Sequence, residues 1–232
     1  TFVTLQIYKD MIDKKIKNNK VKAIKLRYID AIPTILLNQL ENKNIKVFRN
    51  DKIDIPIILL FGYWGPQKDL EFALNTLNEI KKDGFEFYLK LSGEINNHFK
   101  DYRKIYYELI EKYKGIIREL KGYVEEREIL NLFTSVDLLL LTYNTPGGFS
   151  GVLDLAITFD LPVICIDFPE YREQAKGHTN VILVGREDFK DAVKDFIVKF
   201  KPVQSKTINV KEKIEEGIKN VNEIIKHTIE YV

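Results

Sequence analysis

The feature that most constrains the fold of this chain is residues 147–173, GGFSGVLDLAITFDLPVICIDFPEYRE, where a glycine-rich loop runs straight into a helix-period segment and then an apolar run. Val152, Leu153, Ala156, Ile157 and Phe159 recur at the spacing of one helical face. Residues 161–166 form a continuous apolar segment bounded by Pro162 and Asp167, as suits a central parallel strand covered on both sides. The first N–H groups of a helix lack intrahelical acceptors, and small residues ahead of them let an anion come close. Gly147, Gly148 and Gly151 supply those small residues, and the Ser150 hydroxyl suits an N-cap. The backbone N–H groups of residues 149–152, from Phe149 to Val152, are thus candidate anion donors.

The same alternation runs through the middle of the chain. Residues 57–61 read as a buried strand, and Leu70, Ala73, Leu74, Leu77 and Ile80 mark one face of a helix that Gly84 ends. Phe85, Phe87, Leu89 and Leu91 alternate as a strand, and Phe99, Tyr102, Ile105, Leu109 and Tyr113 line a second helix closed by Gly115. A short strand reaches Gly122, a helix covers about 125–134, and further strands are predicted over 137–142 and 180–184. Strands alternating with helices predict an α/β fold, a Rossmann-like parallel sheet with helices on both faces. In such a sheet ligands collect beyond the carboxyl ends of the strands. Residues 62–68, 92–94, 122–125 and 143–151 all fall there, which predicts a single cleft.

Composition narrows the function classes. The 36 basic and 34 acidic residues leave a net charge of +2, too balanced for a nucleic-acid binder. One cysteine, Cys165, lies in the apolar strand and is expected to be a core residue without a disulfide or metal role. His98, His178 and His227 lack metal-ligand spacing. No leader and no apolar run of about 20 residues is seen, so a soluble, cytoplasmic protein is expected. Lysines 14, 15, 17, 20, 22 and 25, with Arg27, make a basic segment that would allow peripheral contact with the cytoplasmic face of a membrane. The motif GFSGV is close to a hydrolase nucleophile elbow, with Asp167 and His178 following, but Val152 replaces its last glycine and residues 143–148 separate Ser150 from its strand.

The pattern Ser-Gly-x-Leu-x-x-Ala from Ser150, followed by Leu-Pro-Val-Ile and then Asp167, Pro169, Arg172 and Glu173, resembles the donor-binding loop and helix of the GT4 family of GT-B glycosyltransferases, glycosyl transferases group 1. Residues 57–70, IILLFGYWGPQKDL, are similar to that family's first nucleotide-domain strand, with Gly62 in its glycine turn and Lys68 as its diphosphate-binding lysine. The resemblance spans residues 56–184. It departs in two places: Gly147 and Leu155 stand where the family keeps two glutamates, and Tyr63 stands where it keeps an arginine.

The resemblance implies the C-terminal, donor-binding half of a GT-B fold. Residues 1–52 would be the tail of an acceptor-side domain and a connector, residues 53–204 the nucleotide-sugar-binding domain, and residues 205–232 a C-terminal helix crossing back toward the other domain. A preceding N-terminal domain is expected to be missing, leaving this fragment inactive alone. The implied activity is retaining transfer of a hexose from a nucleotide-diphosphate sugar to a glycan or lipid-linked acceptor. It implies no cofactor and no metal, with Lys68 and backbone N–H groups meeting the charge of the leaving diphosphate. Gly62, Tyr63, Trp64, Lys68, Gly93, Tyr123, Val124, Gly147, Gly148, Phe149, Ser150, Gly151 and Val152 are the expected substrate contacts. The other class left open by Gly147 and Leu155 is a non-catalytic nucleotide-binding domain.

Overall fold

The computed structural model describes residues 2–4, 23–25, 44–48, 53–145, 148–203, 205–209 and Glu212. Three short strands come first: Phe2–Thr4 (β1), Ala23–Lys25 (β2) and Asn44–Phe48 (β3). The main unit then runs Ile57–Phe61 (β4), Leu70–Lys82 (α1), Tyr88–Ser92 (β5), Tyr102–Tyr113 (α2), Ile117–Lys121 (β6), Glu126–Thr134 (α3), Leu138–Leu141 (β7), Gly151–Thr158 (α4), Val163–Ile166 (β8), Pro169–Gln174 (α5), Val181–Val184 (β9) and Phe189–Lys199 (α6). Ser205–Asn209 (β10) follows.

Six strands form one sheet in the order β6-β5-β4-β7-β8-β9, with every neighbouring pair parallel. This is the Rossmann-like α/β sheet expected from the alternation of strands and helices. The chain leaves β4 for β5 and β6 on one side, then crosses back to start β7 on the other. That reversal of strand order opens a crevice beyond the carboxyl ends of β4 and β7.

Strand side chains alternate between two cores. Ile57, Leu59, Leu139, Leu141, Val163 and Cys165 pack with Phe133 of α3 and with Leu153, Ala156 and Ile157 of α4. Ile58, Leu60, Leu89, Leu91, Leu138, Leu140, Ile164 and Ile166 pack on the other face with Leu74 and Leu77 of α1, Leu109 of α2 and Val193 of α6. Both faces of the sheet are covered, which is why β7 and β8 read as unbroken apolar runs. Burying an aliphatic or aromatic side chain of this size contributes about 1.5–3 kcal/mol.

Several expectations change in detail. The buried face of α2 is Tyr102, Tyr106, Leu109 and Tyr113, whereas Ile105 is 48% exposed and Phe99 lies ahead of the helix. β3 lies within residues 1–52, read as acceptor-side tail and connector, and pairs antiparallel with β10 where the tail was expected to be helical. Ala23–Lys25 is a strand paired parallel with β1. Ile7, Met11, Ile12 and Ile16, and likewise Ile214, Ile218, Val221 and Ile225, are spaced as one helical face in the sequence; both sets lie outside the described residues, as do Gly147 and most of the basic segment.

Candidate functional site

Two loops meet at the crevice with backbone against backbone. Gly93 has φ 119°, and a Cβ there would stand 1.9 Å from the Gly62 carbonyl oxygen, so only glycine permits the approach. Gly62, at φ 130°, gives way to Lys68 in the same manner: a Cβ at Gly62 would lie 2.6 Å from the lysine Nζ. The glycine turn therefore exists to let the ammonium group lie flat against the end of β4.

Lys68 ends a short 3-10 turn, Pro66–Lys68, and is 8% exposed. Its Nζ donates to the Tyr143 hydroxyl at 2.9 Å and lies 3.4 Å from the Phe61 carbonyl oxygen. Both partners are neutral, and no carboxylate pairs with this ammonium among the described residues. The backbone around it is fixed by the loop after β7. Thr142 Oγ1 donates to the Lys68 carbonyl at 2.9 Å, and the Asn144 N–H donates to the Gln67 carbonyl at 3.0 Å.

On the other wall, the Ser150 hydroxyl accepts from the Leu153 N–H at 3.3 Å and caps α4 as expected. It also lies 3.3 Å from the Tyr143 hydroxyl, closing a line Lys68–Tyr143–Ser150. The Ser150 N–H, however, is spent on the Gln174 Oε1 at 3.1 Å, while Gln174 Nε2 donates to the Ser150 carbonyl at 2.8 Å and to Asp154 Oδ1 at 2.6 Å. The expectation that the Ser150 N–H faces an anion is thereby corrected. Gly151 and Val152, the first two helical residues of α4, keep N–H groups with no intrahelical acceptor.

A cleft of about 700 Å³ lies above these groups. Gly62, Tyr63, Lys68, Gly93, Tyr123, Val124, Gly148, Phe149, Gly151 and Val152 all line it, so the sequence candidates do converge. Trp64 does not: it is 2% exposed and stacks on Tyr106 of α2, with centroids 6.4 Å apart, inside the core. Ser150 is buried behind Tyr143, and Gly147 lies outside the described residues. Gln67, Glu94 and Tyr143, within the strand-end segments expected at the cleft, line it too, and the structure adds Leu155 and Tyr171 to the wall. Tyr63, Tyr123 and Phe149 are exposed aromatics at the rim. Leu155 lines the cleft while packing on the core beneath α4, and Asp154 is turned to Gln174.

Burial pushes the Tyr171 hydroxyl and the Cys165 thiol far up from their ordinary pKa values, so both stay neutral. Cys165 is a core residue with 0% exposure. Asp167, the acid a hydrolase reading would need, is held by the Arg172 guanidinium through both oxygens at 2.6 and 2.5 Å. Among the described residues no three His, Cys, Asp or Glu side chains are grouped to hold a metal, and no helix is long and apolar enough to cross a membrane.

The sheet order, with a cleft at its switch point and a helix N-terminus beside it, defines a Rossmann-like α/β architecture. No family model and no curated protein matches the chain. Solved GT-B structures do match it by fold. HepE of Anabaena in complex with UDP superposes with a TM-score of 0.65 at 13% identity, over 99% of this chain and 63% of that one. Sucrose-phosphate synthase of Thermosynechococcus elongatus gives a TM-score of 0.64 at 14% identity, covering 99% and 58%. The pneumococcal O-GlcNAc transferase GtfA in complex with UDP and GlcNAc gives 0.63 at 13% identity, covering 99% and 45%. The chain thus spans less than two thirds of each of these proteins.

Proposed function

We propose that this chain is the donor-binding part of a retaining GT4-like glycosyltransferase that uses a nucleotide-diphosphate sugar. The observation that carries the reading is Lys68: a buried ammonium with neutral partners, beside the free N–H groups at the start of α4. Buried charges are normally paired, and an anion in the cleft would complete the pair. The complexes of HepE with UDP and with UDP-glucose, and of GtfA with UDP and GlcNAc, support a nucleotide sugar as that anion.

In this reading the diphosphate lies on Lys68, Gly151 and Val152, and the base lies toward Tyr123 and Val124. When an acceptor hydroxyl attacks the anomeric carbon, the bond to the diphosphate breaks, negative charge grows on its oxygens, and the hydroxyl proton passes to the departing diphosphate. Prearranged donors stabilise that charge, each contributing about 100- to 1000-fold in rate. The donor is a hexose nucleotide and the acceptor a glycan or lipid-linked sugar, held mainly by a further domain that residues 1–52 and 205–232 adjoin. Transfer by residues 1–232 alone is not expected. The setting is cytoplasmic, with the basic segment at residues 14–27 a solvated face that leaves peripheral contact with anionic lipid open.

Calorimetry of the chain with UDP, GDP and ADP, alongside the matching nucleosides, tests the reading. Binding of at least one diphosphate far above its nucleoside is the expected result. Equal binding of both would remove the phosphate cradle, and with it the donor-domain reading.

A further inference from the structure

Glu94 is the single carboxylate among the described residues that line the cleft, as Lys68 is the single cation. Its side chain is exposed and makes no hydrogen bond or ion pair with any described residue. Neighbouring charges are already engaged: Lys121 pairs with Glu128 at 2.7 Å and Arg127 with Glu125 at 2.7 Å. The free carboxylate nevertheless sits on a fixed backbone. The Trp64 N–H donates to the Glu94 carbonyl at 2.7 Å, the Asn96 N–H donates to the Trp64 carbonyl at 2.9 Å, and the Gly93 N–H is held by the Lys121 and Gly122 carbonyls at 3.0 and 2.9 Å.

Position decides what such a group would meet. Along the carboxyl edge of the sheet, β5 stands between β4, which carries Lys68, and β6, which leads to Tyr123. A ligand with its phosphates at Lys68 and its base at Tyr123 must cross the end of β5 with its sugar ring. A carboxylate repels phosphate but accepts hydrogen bonds from hydroxyl groups, and a bidentate one matches a vicinal diol. The α4 residues that line the cleft, Gly151, Val152 and Leu155, carry no acceptor side chain, and Asp154 is committed to Gln174.

We infer that Glu94 is the ribose-reading residue of the cleft, accepting hydrogen bonds from the 2′- and 3′-hydroxyls of the bound nucleotide. This inference rests on the donor-binding reading above. It makes selection of a ribonucleotide over its deoxy analogue a property of the loop after β5 rather than of α4.

The test uses the whole chain, UDP, GDP and ADP to find the diphosphate that binds, and the 2′,3′-dideoxy form of that diphosphate. Glu94→Ala is expected to weaken the ribonucleotide about tenfold and the dideoxy form less than twofold. Glu94→Gln, which keeps one acceptor oxygen, should fall between. Because the side chain is exposed, both variants should keep the thermal midpoint of the parent. Equal losses for the two ligands, or no loss for either, would overturn the inference while leaving the donor-binding reading intact. Failure of the parent chain to bind any of the three diphosphates would overturn the donor-binding reading first, and the role of Glu94 with it.

Discussion

The Lys68 ammonium and the Tyr143 hydroxyl meet at 2.9 Å across 75 residues of sequence, joining the loop after β4 to the loop after β7 at the switch in strand order. Tyr143 holds the charge in place without neutralising it, and its ring also lies 4.7 Å below the Nζ. Removing the charge should therefore act on phosphate recognition rather than on folding. Lys68→Ala is expected to weaken a nucleoside diphosphate by about ten- to a hundredfold, the range of a charge-assisted hydrogen bond, and leave the nucleoside nearly unchanged. Titration calorimetry with both ligands reads the difference, and equal small losses would return Lys68 to a structural role.

Gln174 ties α5 to the start of α4, and its loss should be felt in stability. Gln174→Leu would strip the partner from the buried Ser150 N–H, while the Ser150 carbonyl would keep the Asp154 N–H at 3.1 Å. At about 1–3 kcal/mol for one unsatisfied buried group, a destabilisation of that size is expected in urea unfolding. Asp154→Asn should be mild by comparison, since the asparagine oxygen can still accept from Gln174 Nε2. Nucleoside-diphosphate affinity should change by less than about threefold in Asp154→Asn, because that side chain faces α5.

The contact between the Gly93 and Gly62 loops makes a sharper prediction. Gly93→Ala places a methyl 1.9 Å from the Gly62 carbonyl oxygen and also strains the backbone at φ 119°. The two loops must part, so the variant should lose both stability, by about 2 kcal/mol or more, and diphosphate affinity. Gly84→Ala is the control: it has positive φ and open space around its Cβ, so it should cost stability alone.

The ion pairs between α1 and α6 predict a pH dependence. Hydrogen bonds from Lys194 and then Lys190 hold the Asp83 carboxyl below its ordinary value. A carboxyl lowered in the folded state adds stability that is complete above its unfolded pKa, near about 3.9, and is lost as pH falls through the lower folded value. Asp83→Asn should thus lower the thermal midpoint at pH 6. The gap between variant and parent should close as pH falls through the lowered folded value, below which both side chains are neutral. A gap independent of pH would show that the contact is not electrostatic.

Much of the fold was legible because it is written in local periods. The unbroken runs of β7 and β8 and the helical face Leu70–Leu74–Leu77 announce burial directly. The helix α6 carries the same signal at Phe189, Val193 and Phe196, yet its dense Lys and Asp hid it from a reading that stopped at β9. On α2, Ile105 and Tyr106 both fit an apolar ladder, and only the packing against Trp64 selects the tyrosine. The pairing of β3 with β10 joins segments at opposite ends of the chain, which no local pattern encodes.

The site divides along the same line. Gly62, Lys68 and Ser150 stood out because turns, strand ends and caps are sequence-local signals. The roles of Tyr143 and Gln174 did not, since each acquires its place from a partner on another element, and Glu94, although within the segment 92–94 expected at the cleft, carried no signal of its own. Trp64 was misplaced for the converse reason: its position after a glycine turn suggested the cleft, but the isolated bridge to Ile95 turns it under the sheet edge and into the core.

The most direct test of the donor-binding proposal is a calorimetric comparison of a nucleoside diphosphate with its nucleoside on the whole chain and on Lys68→Ala. The expected result is that the parent binds one of UDP, GDP or ADP at least about tenfold more tightly than the nucleoside, and that Lys68→Ala removes most of this preference. A parent chain that shows no preference for the diphosphate, or a preference that survives the loss of Lys68, would contradict it.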